Sequence, residues 1–429
     1  MFNSNFLSKM TKSRFNLRSV AKIGVASLAV ITVFLGCDKD PDPIDNPSPK
    51  EAIELKSPIT ENTTLKDLGL PIDYFYNGDV LLEVKNGAIL TIEDSVTIQF
   101  RKAGGGIQVM DGATIKALGT PSKRIQFIGT GTSKGSWEQL RIQSSTDNQF
   151  AYCDFINGGK SANINSGTFG VLQLFNAKVG IQHCTISGGL GTGIYNYDDS
   201  GKPSTQFTAF NNNVIEGFES FAPVTIGSCN EVLSLIEKFD MTSNFANNTI
   251  KYIQLNSLPY TSKNTSLNKT TVPYYFSAGM EQMNFVWTIN KGVIIYVATD
   301  KHFCNRSGNG SILINGTADE KVRITRLPGT TGYWGRMHFD GLKGSEFNHC
   351  IFEYGGLDGG GWYGMLNMHN TTDLKLNNVE INNSYNYGVH LTGCSSYRLQ
   401  HSNVTFKDNE KGNVWNACLS TPAVQPDLP

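Results

Sequence analysis

The sequence is poor in charge, and neither sign prevails. Asp, Glu, Lys and Arg make up only 17% of its 429 residues, with 36 basic side chains against 37 acidic ones. A surface that binds nucleic acid needs a clustered excess of positive charge to neutralise phosphates. The composition gives no support for such a surface, and no nucleic-acid partner is expected.

Long apolar runs and helical patterns are also scarce. The longest apolar run, residues 23–35, has about 13 residues, which is short for a helix that crosses a bilayer. In contrast, 44 glycines and many Asn, Ser and Thr residues suit a chain with frequent turns. The length exceeds that of a usual single domain but fits an all-β solenoid, which grows by repetition.

Residues 1–36 have the layout of a secretory signal peptide, with five basic and no acidic residues around the apolar run. The run ends in Phe34-Leu35-Gly36-Cys37, which resembles the lipobox of bacterial lipoproteins, with Phe34 in place of the usual Leu. The resemblance implies cleavage after Gly36 and acylation of Cys37, for example by palmitate. Such an anchor would hold the protein to a membrane through lipid alone.

Residues 37–57 form a predicted acidic, Pro-rich tether. The tract from Asp38 to Pro43 resembles the surface-export signal of Bacteroidetes lipoproteins, which implies a lipid-anchored outer-membrane protein facing the cell exterior. By composition the segment is a solvated spacer, because its Pro and Asp residues cannot bury enough apolar area to fold. Both interpretations can hold together, and an anchor facing the periplasm stays an alternative.

The segment 119–159 occurs twice in the chain. A shift of 197 positions without a gap places it on 316–356 with nine identities in 41 positions, including a Trp and a Cys. The apolar alternation between the identities is also preserved, which indicates that a strand pattern of period two was copied. The identical positions are Gly119/Gly316, Thr120/Thr317, Gly135/Gly332, Trp137/Trp334, Phe150/Phe347, Cys153/Cys350, Phe155/Phe352, Gly158/Gly355 and Gly159/Gly356.

Each copy contains a finer repeat. A small or polar residue, then any residue, then an apolar one recurs at spacings of 31, 29 and 35 in the first copy and of 29 and 25 in the second. Units of this size cannot close their own apolar faces, so they are expected to stack as the coils of a solenoid. The first residues of these units are Cys153, Cys184, Asn213 and Asn248, then Cys350, Val379 and Val404.

The run from Gly87 to Phe100, with Gly119-Thr120 and Gly135-Ser136-Trp137, resembles the parallel β-helix lipoproteins of Bacteroidetes in the pectin-lyase-like superfamily. The resemblance implies an all-β, right-handed parallel β-helix made of two tandem homologous lobes. The predicted lobes span residues 58–257 and 258–418, and residues 419–429 form a tail. The fold alone does not give the activity, because the superfamily contains lyases, hydrolases, epimerases, adhesins and binding proteins.

Seven cysteines remain if Cys37 carries lipid, and an odd number cannot all pair within one chain. Cys153, Cys184 and Cys350 share the parity of neighbouring apolar residues and are predicted to be buried thiols. An exported protein can form disulfides, so other pairings stay open. The cysteines left open in this way are Cys229, Cys394 and Cys418.

No CxxC or Cys/His spacing indicates zinc, and no metal site or cofactor is expected. The histidines, among them His183 and His349 beside the repeat positions, are interpreted as ordinary surface or structural residues. The only Asp pair, Asp198-Asp199, lies in the polar loop 197–203 and is interpreted as a solvated turn.

An enzymatic alternative stays open. A polysaccharide lyase would need a base and either Ca²⁺ or cationic side chains to neutralise a uronate carboxylate. The second copy contains suitable side chains but no recognised motif, and the Gly-His-Gly and Asn-Thr-Asp of polygalacturonase-like hydrolases are missing. The side chains in question are Arg323, Arg326 and Arg336 with Asp340, Glu353 and Asp358.

The copies differ most after Gly356, where the second copy has a Gly-rich loop with large rings and the first copy has Lys160 to Asn163. Because the duplication does not account for these rings, they suggest an exposed platform that stacks on sugars, with Asp358 as a polar or cation-binding partner. The sequence therefore predicts a surface lipoprotein that binds polysaccharide or cell-surface glycan, with a structural or protein-partner scaffold as a further alternative. The candidate ligand-binding residues are Tyr333, Tyr354, Asp358, Trp362 and Tyr363.

Overall fold

A computed structural model describes most of the chain after residue 50. The predicted signal peptide, Cys37 and most of the tether lie outside the described residues and stay predictions. No helix in the described part is long and apolar enough to cross a membrane. The described ranges are 51–163, 169–229, 231–256, 263–279, 284–305, 310–341, 343–357, 361, 363–369, 372–393 and 398–429.

The protein is all-β, and its strands stack as a parallel β-solenoid of about 11 turns, which confirms the predicted fold class. Residues 50–429 form one compact unit. The strands of the described residues are β1 Ile53–Glu54, β2 Thr63–Leu65, β3 Tyr74–Tyr76, β4 Leu82–Val84, β5 Ile89–Ile92, β6 Thr97–Phe100, β7 Ile107–Val109, β8 Thr114–Leu118, β9 Ile125–Gly129, β10 Leu140–Ile142, β11 Asn148–Ala151, β12 Cys153–Ile156, β13 Gly170–Leu174, β14 Lys178–Gln182, β15 Thr185–Ser187, β16 Thr192–Tyr197, β17 Gln206–Asn211, β18 Val214–Glu216, β19 Val224–Ser228, β20 Ile253–Leu255, β21 Thr265–Leu267, β22 Tyr274–Phe276, β23 Val286–Asn290, β24 Ile294–Val297, β25 Phe303–Asn305, β26 Ser311–Asn315, β27 Val322–Arg326, β28 Met337–Asp340, β29 Ser345–Glu353, β30 Gly364–His369, β31 Asp373–Asn382, β32 Tyr387–Leu391, β33 Arg398–Lys407, β34 Gly412–Asn416 and β35 Ala423–Gln425. One short helix, α1 Val232–Ile236, follows β19.

The strands form four sheets, and each coil of the first copy contributes one strand to three of them in turn. The hydrogen-bonded order is β1-β3-β6-β9-β12-β15-β18 in the first sheet and β17-β14-β11-β8-β5-β2 in the third. The second sheet runs β21-β23-β26-β29-β27-β24-β22-β20-β19-β16-β13-β10-β7-β4, with β31 and β33 beside β29. The fourth runs β25-β28-β30-β32-β34-β35.

Corresponding strands of the two copies lie in different sheets. Strand β9 lies in the first sheet, whereas its counterpart β27, 197 residues later, lies in the second; β10 of the second sheet corresponds likewise to β28 of the fourth. The pairing of β19 with β20 and of β20 with β22 carries the second sheet through the junction. Equivalent sites of the two copies therefore lie on different faces, and the predicted boundary at 257/258 stays a prediction.

The two copies use the same contacts around their shared tryptophans. The indole N–H of Trp137 donates to the carbonyl of Ile156 at 2.8 Å, and that of Trp334 donates to the equivalent carbonyl of Glu353 at 2.7 Å. Both indoles are fully buried. The shared Gly158 lies against the indole of Trp137, where an added Cβ would approach a ring carbon to 2.5 Å, and Gly355 lies against Trp334 in the same way. This geometry fits a structural role for both tryptophans.

The spaced repeat corresponds to a corner of the coil. The residue before six of the seven repeat positions, all but Asn248, has a positive φ, between 47° and 55°, and this left-handed residue turns the chain from one face to the next. The ring of His183 stacks on Tyr152 of the preceding coil with centroids 4.4 Å apart, so His183 is a structural residue, as predicted. These corner residues are Tyr152, His183 and Asn212, then His349, Asn378 and Asn403.

The inward side chains form one continuous apolar column, and the predicted buried thiols belong to it. Cys153, Cys184 and Cys350 are buried and free, as is Cys229, while Cys418 is disulfide-bonded. Burial raises the pKa of the Cys153, Cys229 and Cys350 thiols. The structure therefore gives the state of two cysteines that the sequence left open, Cys229 as a free thiol and Cys418 in a disulfide, and Cys394 lies outside the described residues.

These four free thiols are expected to resist alkylation in the folded protein. The raised pKa of Cys153, Cys229 and Cys350 lowers their reactive thiolate fraction, and burial excludes the reagent from all four thiols. Iodoacetamide at pH 8, followed by peptide mass spectrometry, should label Cys153, Cys184, Cys229 and Cys350 only after unfolding in urea. Rapid labelling of Cys153 or Cys350 without denaturant would contradict their place in the column.

The C-terminal residues cover part of the last coil. Strand β35 pairs with β34 in antiparallel orientation, and Leu428 is buried against the column. The Nδ2 of Asn413 donates to the carbonyl of Pro426 at 2.7 Å. Such a cap hides apolar surface that the last coil of a solenoid would expose.

Candidate functional site

Two predicted site residues, Tyr333 and Tyr354, meet at one corner of the second copy. Tyr333 lies in the loop between β27 and β28, and Tyr354 begins the loop between β29 and β30. The guanidinium carbon of Arg326 lies 3.9 Å from the ring centroid of Tyr354 and 5.9 Å from that of Tyr333. The arginine therefore links the two rings through cation–π contacts.

The coil that follows adds a third ring at this corner. The ring centroid of Tyr385 lies 5.3 Å from that of Tyr333, and 38% of Tyr385 is exposed. The hydroxyl of Tyr333 donates to the Oε1 of Glu410 at 2.8 Å, and this hydrogen bond, followed by burial, raises the pKa of Tyr333. We call Tyr333, Tyr354 and Tyr385 the tyrosine ledge.

Arg326 is held in place by the loop that carries Tyr333. Its Nη1 donates to the carbonyl of Thr331 at 3.0 Å and to that of Gly332 at 3.4 Å. These contacts use part of the guanidinium and keep its plane against Tyr354. The arginine therefore supports the ledge as a fixed element, which reduces the entropy lost when a ligand binds.

A cavity of about 420 Å³ adjoins the ledge. Tyr354 of the ledge lines this cavity, together with the Arg326 that contacts it. The other polar or aromatic residues of the lining that can contact a ligand include Arg323, Glu353 and Tyr296. The Nη1 of Arg323 lies 3.5 Å from the Oε2 of Glu353, a loose ion pair with the arginine side chain 48% exposed. Groups of both signs therefore face the cavity beside aromatic rings.

Tyr363, another predicted ligand-binding residue, contacts His390 instead of the ledge. The backbone N–H of Tyr363 donates to the Nδ1 of His390 at 3.3 Å, and its ring centroid lies 5.6 Å from that of His390. Tyr363 is 37% exposed. Asp358 and Trp362 lie outside the described residues. Tyr385 and Glu410 were not predicted from the sequence. The repeat spacing, counted onward from Tyr354, would have located the coils that carry them.

The first copy lacks these rings at the equivalent positions. Ser136 occupies the place of Tyr333, and Asn157, with a φ of 58°, occupies that of Tyr354, whose φ is also 58°. The backbone corner is therefore conserved between the copies while its side chains differ. This contrast assigns the rings to a local role instead of a packing role shared by all coils.

The side chains that the sequence grouped for lyase chemistry separate into two places. Arg323, Arg326 and Glu353 line the cavity beside the ledge, whereas Arg336 and Asp340 lie immediately before and at the end of β28. The predicted cluster is thus only partly assembled among the described residues.

A row of polar side chains, which was not predicted from the sequence, crosses the fourth sheet. Parallel register places His338 of β28, Asn367 of β30 and His390 of β32 side by side, and all three are buried. The Nδ1 of His390 lies 3.0 Å from the Oδ1 of Asn367. Burial and the nearby His369 lower the pKa of His390 to about 4, so its imidazole is neutral at pH 7. Strand parity could have shown the row, because these residues alternate with the apolar ones.

The first copy has its own polar row at the equivalent positions of the second sheet. Arg141, Gln173 and Tyr195 are aligned by register, and burial lowers the pKa of Arg141. Gln173 is fully buried, and neither its Nε2 nor its Oε1 has a hydrogen-bond partner in the described structure. Burial also raises the pKa of the nearby Glu138 carboxyl. Both copies therefore carry buried polar groups on corresponding strands, which lie in the second sheet in the first copy and in the fourth sheet in the second copy.

Asp198 is not part of a solvated turn, which corrects the expectation for the Asp198-Asp199 pair. Its side chain is 1% exposed and accepts hydrogen bonds from the backbone N–H groups of Asn176 and Thr205 at 3.1 and 3.0 Å. The Nδ2 of Asn196 and the hydroxyl of Thr205 also donate to it. Only Asp199, whose side chain is 52% exposed, behaves as a solvated turn residue.

Among the described residues, no group of three or more His, Cys, Asp or Glu side chains is placed to hold a metal ion. Comparisons with protein-family models, with curated proteins and with solved structures gave no match. The functional argument therefore depends on the geometry of the chain itself.

Proposed function

We propose that the protein is an outer-surface lipoprotein whose β-solenoid binds extracellular glycan, for adhesion or carbohydrate capture, at the tyrosine ledge. The observation that carries the proposal is the grouping of Tyr333, Tyr354 and Tyr385 around Arg326 at one corner. These rings come from three successive coils, and two of them replace the small polar residues of the first copy.

The chemistry of the ledge suits a sugar chain. Tyrosine presents a flat apolar face with only two rotatable side-chain bonds, so stacking on the C–H face of a sugar loses little conformational entropy. The hydroxyl groups, Arg323 and Glu353 can exchange hydrogen bonds with sugar hydroxyls in the adjoining cavity. Neighbouring coils are about 4.8 Å apart, so three rings offer enough length for a disaccharide or longer segment.

The proposed location follows from the sequence beyond the described residues. A lipid on Cys37 would anchor the protein to the outer membrane, and the acidic tether would hold the solenoid away from the lipid surface. The partner is then a polysaccharide or a cell-surface glycan, and the membrane is contacted through the anchor alone. Binding by this ledge requires no cofactor.

Removing two rings of the ledge is expected to weaken glycan binding by about 10- to 100-fold, since each aromatic contact contributes about 0.5–1.5 kcal/mol. The test starts from a glycan array with the unchanged protein. Calorimetric titration of the best glycan then compares that protein with the Tyr333→Ala, Tyr385→Ala double variant. Neither ring is in the buried column, so the variant should fold.

Tyr197→Ala is the matched control, because Tyr197 is a similarly exposed tyrosine, at 41%, in the first copy. It should leave the affinity unchanged. Equal affinity of the double variant and the unchanged protein for every glycan that binds would overturn the role of the ledge. An empty array would favour the alternative of a structural or protein-partner scaffold.

The second candidate is a divergent polysaccharide lyase or glycoside hydrolase, favoured by the buried row of His338, Asn367 and His390. The neutral imidazole of His390, whose Nδ1 lies 3.0 Å from the Oδ1 of Asn367, is a suitable proton acceptor. Incubation with pectin, alginate and glycosaminoglycans in the presence of Ca²⁺ tests lyase activity through the ultraviolet absorbance of unsaturated uronides. Release of reducing ends tests hydrolysis.

A further inference from the structure

A groove of about 730 Å³ runs along a corner of the first copy. It crosses the turns that lead from the first sheet to the second in four successive coils. The corner residues of these coils are Asn157, Gly188, Gly217 and Asn247. We call this cavity the corner groove; Lys134, Glu216, Glu219 and Lys251 also line it.

Two glycines form the floor of the groove. Gly188 and Gly217 have φ values of +77° and +79°, in the left-handed region that the other corners fill with Asn, His or Tyr. The equivalent corners of the second copy are Asn383 and Asp408, whose side chains would occupy this space. Gly217 therefore leaves the groove open at its corner, because an added Cβ there would meet no atom closer than 3.6 Å, whereas the side-chain Oδ1 of Asn157 covers Gly188.

Fixed polar groups form the walls. The Nζ of Lys134 donates to the carbonyl of Gly217 and to the Oε1 of Glu219, both at 2.7 Å, so the lysine bridges from its loop to the floor. The Nδ2 of Asn247 donates to the Oε2 of Glu216 at 3.0 Å. The lining contains two lysines and two glutamates, and this balance of charge disfavours a highly charged ligand.

We propose that the corner groove is a second glycan-binding site, which holds a linear, uncharged oligosaccharide parallel to the solenoid axis. Amide, carboxylate and ammonium groups are distributed along the groove, and successive coils lie about 4.8 Å apart, which is close to the length of one pyranose unit. Consecutive sugar units would thus each lie beside one coil of the groove. Four coils provide room for three or four units.

The groove is independent of the tyrosine ledge, with which it shares no residue. In the first copy the groove follows strands of the first sheet. In the second copy the ledge follows the corresponding strands, but these lie in the second sheet. The two sites therefore lie on different edges of the solenoid. A protein with two such sites can contact two glycan segments, and simultaneous engagement raises the apparent affinity for a polymer without any new contact.

Gly217→Asn is expected to weaken binding in the groove at least tenfold. Asn already occupies the equivalent left-handed corners at Asn157 and Asn383, and an added Cβ at Gly217 would meet only the backbone nitrogen of Gly188 at 3.6 Å, an ordinary contact. The variant should therefore fold while its side chain fills the channel. The matched control is Gly201→Asn, since Gly201 has a φ of +81° and no atom within 4 Å of an added Cβ.

The probes are cellohexaose, xylohexaose, mannohexaose and laminarihexaose, each titrated into the full-length protein by calorimetry. At least one should bind, with loss in Gly217→Asn but not in Gly201→Asn or in the Tyr333→Ala, Tyr385→Ala variant. Asn247→Ala, which truncates an exposed wall residue, should weaken the same probe if Gly217→Asn does not fold.

Two results would overturn the groove. The first is that none of the four hexaoses binds the unchanged protein. The second is that a hexaose binds equally well to Gly217→Asn, or to Asn247→Ala if Gly217→Asn does not fold. If the hexaose loses binding only in the Tyr333→Ala, Tyr385→Ala variant, the ledge is supported as its binding site and the groove proposal is contradicted. The experiment therefore tests the two proposed sites separately.

Discussion

Asp198→Ala is expected to destabilise the protein by about 3–6 kcal/mol, whereas Asp199→Ala should change the free energy of unfolding by less than about 1 kcal/mol. The two residues are adjacent and chemically identical, and in the sequence both belong to one polar loop. Their surroundings in the folded chain differ completely. Urea unfolding followed by far-ultraviolet circular dichroism measures both changes.

The large effect at Asp198 comes from the donors that it satisfies. Its carboxyl group accepts hydrogen bonds from the backbone N–H groups of Asn176 and Thr205, from the Asn196 amide and from the Thr205 hydroxyl. Alanine would leave the two backbone donors without an acceptor, at about 1–3 kcal/mol each, and the Asn196 amide would keep only its contact of 3.4 Å with the carbonyl of Leu174. These losses share one cavity, so their sum is an upper limit.

Asp199→Ala is the control, because it removes only the exposed contact between the Oδ2 of Asp199 and the Nζ of Lys202, 3.1 Å apart. Exposed ion pairs contribute about 0–1 kcal/mol. Asp198→Asn keeps one acceptor oxygen and should fall between the two. Equal unfolding midpoints for Asp198→Ala and Asp199→Ala would show that the network around Asp198 does not contribute to stability.

The solenoid could be predicted because its causes are local and repeated. Period-two alternation shows which side chains face the column, and the spacing of the repeat shows where each coil turns. Cys153 and Cys350 were placed correctly since their parity matches that of the neighbouring Phe155 and Phe352, and all four side chains are fully buried. Each such inference needs only a few residues along the chain.

Features that depend on stacking were missed because they join residues from different coils. Glu410 reaches Tyr333 across 77 positions, and the partner of Asp198 at Asn176 lies 22 positions away. The assignment of corresponding strands to different sheets could not be predicted either, because the alignment of the two copies contains no information about the junction that holds α1. The sequence predicted Tyr333 and Tyr354 separately, but only folding shows that Arg326 links them.

Trp137→Ala and Trp334→Ala are each expected to destabilise the protein by about 3–5 kcal/mol, the range for removing a large buried aromatic side chain. Both indoles are fully buried, and each donates one hydrogen bond to an equivalent carbonyl. The contacts were copied with the chain, so the two variants should lose similar stability. Chemical denaturation of each variant, followed by circular dichroism, measures the loss.

Two milder substitutions separate ring packing from the hydrogen bond. Trp→Phe at either position keeps an aromatic ring but leaves the carbonyl of Ile156 or Glu353 without its indole donor, so a loss of about 1–3 kcal/mol is expected. Gly158→Ala and Gly355→Ala keep the indole but place a methyl group 2.5 Å from it, which forces the ring to move. Overpacking of this kind destabilises by about 1–3 kcal/mol.

The comparison between copies is the decisive part of this test. If both tryptophans are structural, substitutions at 137 and 334 should lower stability and leave glycan affinity unchanged under conditions where the variants remain folded. The ledge substitutions should do the reverse, because Tyr333 and Tyr385 lie outside the column. A large loss of stability in Trp137→Ala with none in Trp334→Ala would contradict a shared scaffold role. It would show that equivalent contacts in the two copies contribute different free energies to stability.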